Sequence, residues 1–211
     1  MSRLYTGSLG SLGVIVEATF KLAPKPDTAK TLVISSSNLD SLLSSVEALR
    51  APATSPNALV IVNPPIRQRI GLDGAGFALL LSLNGRSSSV KQRITEVNKT
   101  LSDHQIDSNI ELNQPQSEQL WQRLINLPWG SSEPPDFSIK FNSVPSDVAS
   151  IMGLLDKTDL QHIVHGVIAD FGLGTLRSLL WSNGNSAIDR PSFEAITLQV
   201  TQVGSRWVLE R

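Results

Sequence analysis

Gly7, Gly10 and Gly13 stand at every third position near the start of the 211-residue sequence, and an alternating run follows at once. Val14, Val16, Ala18, Phe20 and Leu22 fall on one side of an extended chain, and Ile15, Glu17, Thr19 and Lys21 on the other. Glycine lets a backbone approach a ligand or another backbone, because no Cβ intervenes. The spacing therefore predicts a backbone-lined approach surface feeding a strand over Val14–Leu22. It is not a P-loop, since Val14 and Ile15 stand where Lys and Ser or Thr are needed. It is not a dinucleotide fingerprint either: the spacing is G-x-x-G-x-x-G and a β-branched run follows, so a phosphate on a helix N-terminus is not the mechanism. A tight turn before an ordinary strand is the other reading of the same residues.

Elsewhere the chemistry-bearing residues are scattered. His162 and His165 are three apart on a predicted strand, which puts them on opposite faces, and His104 sits in a connection; all three read as structural. No H-E-x-x-H, calcium-loop or G-x-S-x-G pattern occurs, and Ser35–Ser37 and Ser87–Ser89 read as cap and loop material. Trp121, Trp129, Trp181 and Trp207 read as core or interface residues. Arg177 lies mid-strand opposite its apolar neighbours. Its guanidinium could fork onto a carboxylate, or it is a solvated strand arginine. Arg67 and Arg69, after Pro64-Pro65, read as loop surface. No residue is assigned a catalytic role.

These residues need elements to position them. Ala23-Pro24-Lys25-Pro26-Asp27 ends the first strand. Beyond it one pattern runs twice. The first pass is strand 31–35, helix 39–50, strand 58–62, strand 77–83, helix 88–102 and strand 108–112, with Ser87 and Ser88 as N-caps. A connecting helix near 117–127 follows. The second pass is strand 137–141, helix 146–156, strand 162–169, strand 174–181, helix 191–203, ended by Gly204, and strand 206–210. Each pass is β-α-β-β-α-β, the ferredoxin-like arrangement. The fold class is therefore α+β. Two such units side by side would share one antiparallel sheet with helices on one face and a free second face.

GSLGSLGVIVEATFKLAPKP, residues 7–26, resembles the segment that closes the FAD-binding domain of FAD-linked oxidases of the vanillyl-alcohol oxidase, or PCMH, type. That family reads roughly G-S-x-G-T-L-G-V-I-T-E-A-T-x-K-L-x-P; this chain departs at Ser11 and Val16. The resemblance implies that the segment lies along FAD, with glycine backbone near the ribityl and pyrophosphate part and the β-branched pair near the adenine. Gly7, Ser8, Gly10, Gly13, Val14 and Ile15 are then the cofactor-binding residues. Leu120-Trp121, the run from Phe137 to Phe141 with Val144-Pro145-Ser146, and the ending Gly204 to Arg211 are similar to stretches of the FAD-binding subunits of bacterial glycolate oxidases.

The resemblance implies residues 1–26 as the end of a PCMH-type FAD-binding domain and 27–211 as a cap domain made of the two ferredoxin-like units. It covers the later part of such a protein, so the chain is expected to be a fragment, inactive alone and truncated at its C-terminus. The implied activity is FAD-dependent oxidation of glycolate or another 2-hydroxy acid. The implied partners are a second flavoprotein subunit and an iron–sulfur subunit. The implied location is the cytoplasm, or the inner-membrane surface through those partners. A non-enzymatic ferredoxin-like double module that binds a small molecule or a protein is the alternative.

Composition narrows the classes. Hydrophobic residues make up 40% of the chain, enough for a core, and the formal net charge of −1 offers no basic surface for nucleic acid. No run approaches the roughly 18 apolar residues of a membrane span. Without cysteine there is no thiol nucleophile, disulfide or Cys-ligated cluster within these residues, so any iron–sulfur cluster would sit in a partner.

Overall fold

The computed structural model describes residues 5–8, 10–22, 24–106, 109–158, 160, 162–182, 188 and 190–210. Eight strands alternate with helices: β1 (Thr28–Ser36), α1 (Leu39–Leu49), β2 (Ala58–Val62), α2 (Pro64–Arg69), β3 (Phe77–Gly85), α3 (Ser87–Asp103), β4 (Asn109–Leu112), α4 (Gln114–Gly130), β5 (Phe137–Asn142), α5 (Val148–Asp156), β6 (Ile163–Asp170), β7 (Thr175–Ser182), α6 (Arg190–Gln202) and β8 (Arg206–Leu209). The expected double β-α-β-β-α-β pattern is present. The strands form one sheet in the order β4-β1-β3-β2-β6-β7-β5-β8, antiparallel throughout. Each half has the strand order of a ferredoxin-like unit, and the halves meet edge to edge at β2 and β6.

The helices follow from their apolar stripes and caps. Asn38 Oδ1 accepts from the Asp40 amide at 2.9 Å and starts α1. Asn113 and Gln116 form a reciprocal capping box at the start of α4, and Pro115 sits in its first turn. That box begins the connecting helix three residues before the expected Ser117. The residue before α3 is Arg86, with no side-chain cap, and Ser87 is already helical, so the expected serine cap does not form. Ser108, expected in β4, lies outside the described residues.

One core lies between the sheet and α1, α3, α5 and α6. Leu32, Ile34, Leu59, Ile61, Leu79 and Leu81 meet Leu42, Val46 and Val97 in the first half; Ile139, Phe141, Val167 and Leu180 meet Ile151, Leu155 and Ile196 in the second. The other face departs from expectation because it is only partly free. Val33, Val60, Val62, Ala78, Leu80, Ile168, Leu179 and Trp181 form a second core with Ile66 and Ile70 at α2 and Leu120, Leu124 and Leu127 of α4. The physical reason is visible in β3, where Phe77 to Leu81 are apolar without alternation and all buried. A strand that buries both faces needs a layer on each side. Much of the bare part of this second face lies at β5, β7 and β8, where Lys140 and Arg177 point.

The expected strand over Val14–Leu22 does not form. These residues pair with no strand among those described; Val14, Val16, Phe20 and Leu22 are largely exposed, Val16 at 93%. An extended segment becomes a strand only through a ladder with a neighbour, and alternation alone supplies none.

Candidate functional site

The glycine spacing has a local structural cause. The Ser8 amide donates to the Tyr5 carbonyl at 3.3 Å, and the Ser11 amide to the Ser8 carbonyl at 3.0 Å. These are two successive turns, with Gly7 and Gly10 at the third position of each and φ of +84° and +80°. A type II turn demands positive φ there, which glycine meets without a Cβ clash. Ser11 Oγ reinforces the second turn through the Ser8 carbonyl at 2.7 Å. A Cβ added at Gly7 or Gly10 would meet nothing within 4 Å, so both glycines open onto free space. At Gly13 it would lie 3.1 Å from Tyr5 Cε1. The turn reading of the sequence and the approach-surface reading are thus compatible: the turns hold bare backbone outward. Val14 and Ile15 continue from them, exposed and in neither helix nor strand. Residues of this kind fit a large cofactor approached through main chain.

The bare half of the second sheet face carries the remaining polar cluster. Arg177 on β7 lies beside Lys140 on β5 in register. Arg177 is neither a free carboxylate holder nor a simply solvated arginine. Its Nε donates to Glu210 Oε2 at 3.0 Å and its Nη2 to Glu210 Oε1 at 3.4 Å, a forked pair. Ser138 Oγ reaches the same Oε2 at 3.2 Å. Lys140 forms no ion pair among the described residues, and Arg206 of β8 stands opposite Asn142 on the same face, so this patch holds three cations against one carboxylate.

Other assignments also change. Arg67 and Arg69 are on helix α2, not in a loop, and Arg67 is 2% exposed. Its guanidinium donates to the carbonyls of Asp73, Ala75 and Phe77, closing the loop before β3; burial lowers its pKa. Asn63 followed by Pro64-Pro65 is a helix-start signature that the loop reading passed over. His162 precedes β6 with φ of +62°, a turn residue rather than a strand residue, so the opposite-face argument does not apply to it. His165 is on β6, within 3.0 Å of Ser178 Oγ, and burial pushes its pKa down to about 4. Trp121 and Trp181 are anchored by Thr31 and the Glu133 carbonyl, whereas Trp129 is 53% exposed. Among the described residues no three His, Asp or Glu side chains converge as a metal site, and no helix is long and apolar enough to cross a membrane.

The double ferredoxin-like sheet recurs in solved structures. Alkyldihydroxyacetonephosphate synthase matches with a TM-score of 0.65 and 14% identity, over 95% of this chain and 44% of that one. p-Cresol methylhydroxylase with substrate bound matches with a TM-score of 0.56 and 16% identity, over 88% of this chain and 46% of that one. The chain thus shares its fold with a little under half of each of these two proteins.

By sequence the chain is similar to the glycolate oxidase subunit GlcD. It is 36% identical to the Bacillus subtilis (strain 168) protein over 87 residues, and 34% identical to the Escherichia coli (strain K12) protein over 105 residues. Those matches take in 38% and 46% of this chain but 18% and 21% of the relatives, so the chain spans about a fifth of the length of the curated relatives it matches. No protein-family model matches.

Proposed function

We propose that this chain is part of an FAD-dependent oxidoreductase subunit that oxidises glycolate or a similar 2-hydroxy acid. Residues 1–26 close the FAD-binding domain, and 27–211 form the cap. The observation that supports this most is the order along the chain: glycine turns open to an approaching ligand, followed directly by the double ferredoxin-like sheet. Similarity to GlcD supplies the substrate class.

Gly7, Ser8, Gly10, Gly13, Val14 and Ile15 are the residues that would lie along FAD, and bound flavin would accept the hydride. The protein's share is binding and orientation. The bare patch at Lys140 and Arg177 offers cations for a substrate carboxylate, which would displace Glu210 from the arginine fork. Electrons would leave through a second flavoprotein subunit and an iron–sulfur subunit, at the cytoplasm or at the inner-membrane surface.

The test is to purify the complete subunit with its partners from the native host and add glycolate without oxygen. Flavin absorbance that bleaches with glycolate or a related 2-hydroxy acid is the expected result. A colourless preparation overturns the cofactor assignment; a yellow one that no 2-hydroxy acid bleaches overturns the substrate.

A further inference from the structure

Arg67 and Arg69 stand two apart on α2 and spend their charge differently. Arg67 is consumed by backbone carbonyls. Arg69 lies with its guanidinium 4.0 Å above the Trp181 ring centroid, and its Nε is buried without a hydrogen-bond partner. Among the described residues no carboxylate pairs with it.

Arg69 borders a cleft of about 390 Å³ between α2 and α4. Across the cleft, Gln119, Gln122, Arg123 and Asn126 recur at helical spacing as the polar ridge of α4, while Leu120, Leu124 and Leu127 of the same helix face the core. Arg123 is held in place at the rim. Its Nη1 donates to the Ile70 carbonyl at 3.3 Å and lies only 2.6 Å from where a Cβ on Gly71 would stand, so a larger residue there would push it aside. Ser131, which ends α4, also lines the cleft, and its buried Oγ has no partner.

Two arginines, two buried polar atoms without partners and no lining carboxylate make a cationic cleft with unspent donors. A buried donor left unpaired is costly, and a side-chain shift that turns either group towards an anion in the cleft removes that cost. Stacking on Trp181 fixes the plane of the Arg69 guanidinium, which suits forked recognition of an oxyanion. The volume falls in the range of small-ligand sites, roughly 300–1,000 Å³. We propose that the cleft between Arg69 and Arg123 binds a small oxyanion, a carboxylate or a phosphate, whose other polar groups meet the amides of α4. The site lies on the helix-covered part of the sheet face, whereas Lys140 and Arg177 lie on its bare part, and it does not depend on the flavin reading.

The test is to titrate the 211-residue chain with inorganic phosphate and, separately, with glycolate, at constant ionic strength balanced with chloride, while following tryptophan emission. Trp181 lies directly under Arg69, so filling the cleft perturbs it. A saturable change with either anion is expected, and the anion that produces it tells phosphate from carboxylate recognition. Arg69→Gln and Arg123→Gln should each weaken it about tenfold or more, the scale of one lost charge-assisted contact. Lys99→Gln, on α3 across the sheet, should leave it unchanged. Arg123 is exposed, so its variant keeps the fold even where Arg69→Gln does not. No saturable change with either anion, or a change that Arg123→Gln leaves intact, overturns the site.

Discussion

Arg177 and Glu210, 33 residues apart, form a forked ion pair on the bare half of the sheet, with contacts of 3.0 and 3.4 Å. Glu210 is the less exposed partner, its side chain at 15% against 35% for the arginine. The pair holds the guanidinium rigid and offsets one of the cations there. A substrate carboxylate would compete with Glu210 for the same fork. On the proposed function, Arg177→Gln in the assembled complex is expected to raise KM for the 2-hydroxy acid about ten- to a hundredfold, the loss of one charged contact. Glu210→Gln frees the fork and is expected to lower KM at little cost to kcat. Steady-state kinetics of the two variants check this; equal KM values in wild type and Arg177→Gln remove the patch from substrate binding.

Asn63 joins the two halves of the sheet. Its Oδ1 accepts from the Val167 amide at 2.9 Å, its Nδ2 donates to the His165 carbonyl at 2.9 Å, and its own amide donates to the Val167 carbonyl at 3.2 Å. The side chain thus prolongs the short β2–β6 ladder by imitating backbone. Asn63→Ala leaves a buried donor and a buried acceptor unpaired, at about 1–3 kcal/mol each before relaxation and water entry. The unfolding midpoint in urea should fall accordingly. An unchanged midpoint would falsify a bracing role.

His165 makes stability depend on pH. Its folded pKa of about 4 lies below the ordinary value of 6.5, because burial disfavours the cation. The unfolded chain therefore binds the proton more readily. The neutral imidazole's contribution is complete above about pH 6.5 and is lost as pH falls towards 4, by at most about 3 kcal/mol. Asp156, whose pKa burial raises, works in the opposite sense as its carboxylate ionises. The expected result is a decline in urea stability from pH 7 to pH 4.5 that His165→Gln flattens. A decline of equal slope in the variant assigns the effect to other groups.

The glycine turns carry the fourth prediction. On the proposed function, Gly13→Val in the complete subunit should abolish the flavin spectrum, since its Cβ would press on Tyr5 where φ is +155°. The sheet makes no ladder with this segment, so its circular dichroism and unfolding midpoint should stay as in wild type. On the 211-residue chain itself, amides of residues 10–22 should exchange quickly while those of Phe77–Leu83 are protected. Protection of Val14–Leu22 comparable to that of β3 would place the segment within the cap sheet and remove the boundary near residue 26.

Periodicity and turn chemistry were sufficient to read the elements of the two passes, but not helix α2, read as loop, nor Val14–Leu22, read as a strand. The apolar run within Thr31–Ser35, alternation at Phe137–Phe141, helical stripes through Leu42 and Val46 or Ile151 and Leu155, and Gly204 after α6 are local signals, because each is read from residues close together in the chain. The same reasoning gave the two β-α-β-β-α-β passes, and the glycine spacing gave the turns. Local spacing says which side chains share a face, not what lies against it. Only the tertiary structure decided that β2 meets β6, that Asn63 reaches Val167 across 104 residues, and that α2 and α4 cover part of the second face. It also decided the fate of the arginines. Arg67 is buried among loop carbonyls, Arg177 is tied to Glu210, and Arg69 stacks on Trp181, although all three carry the same charge in the sequence. A guanidinium takes its role from the acceptors the fold brings to it, and those acceptors come from several different elements.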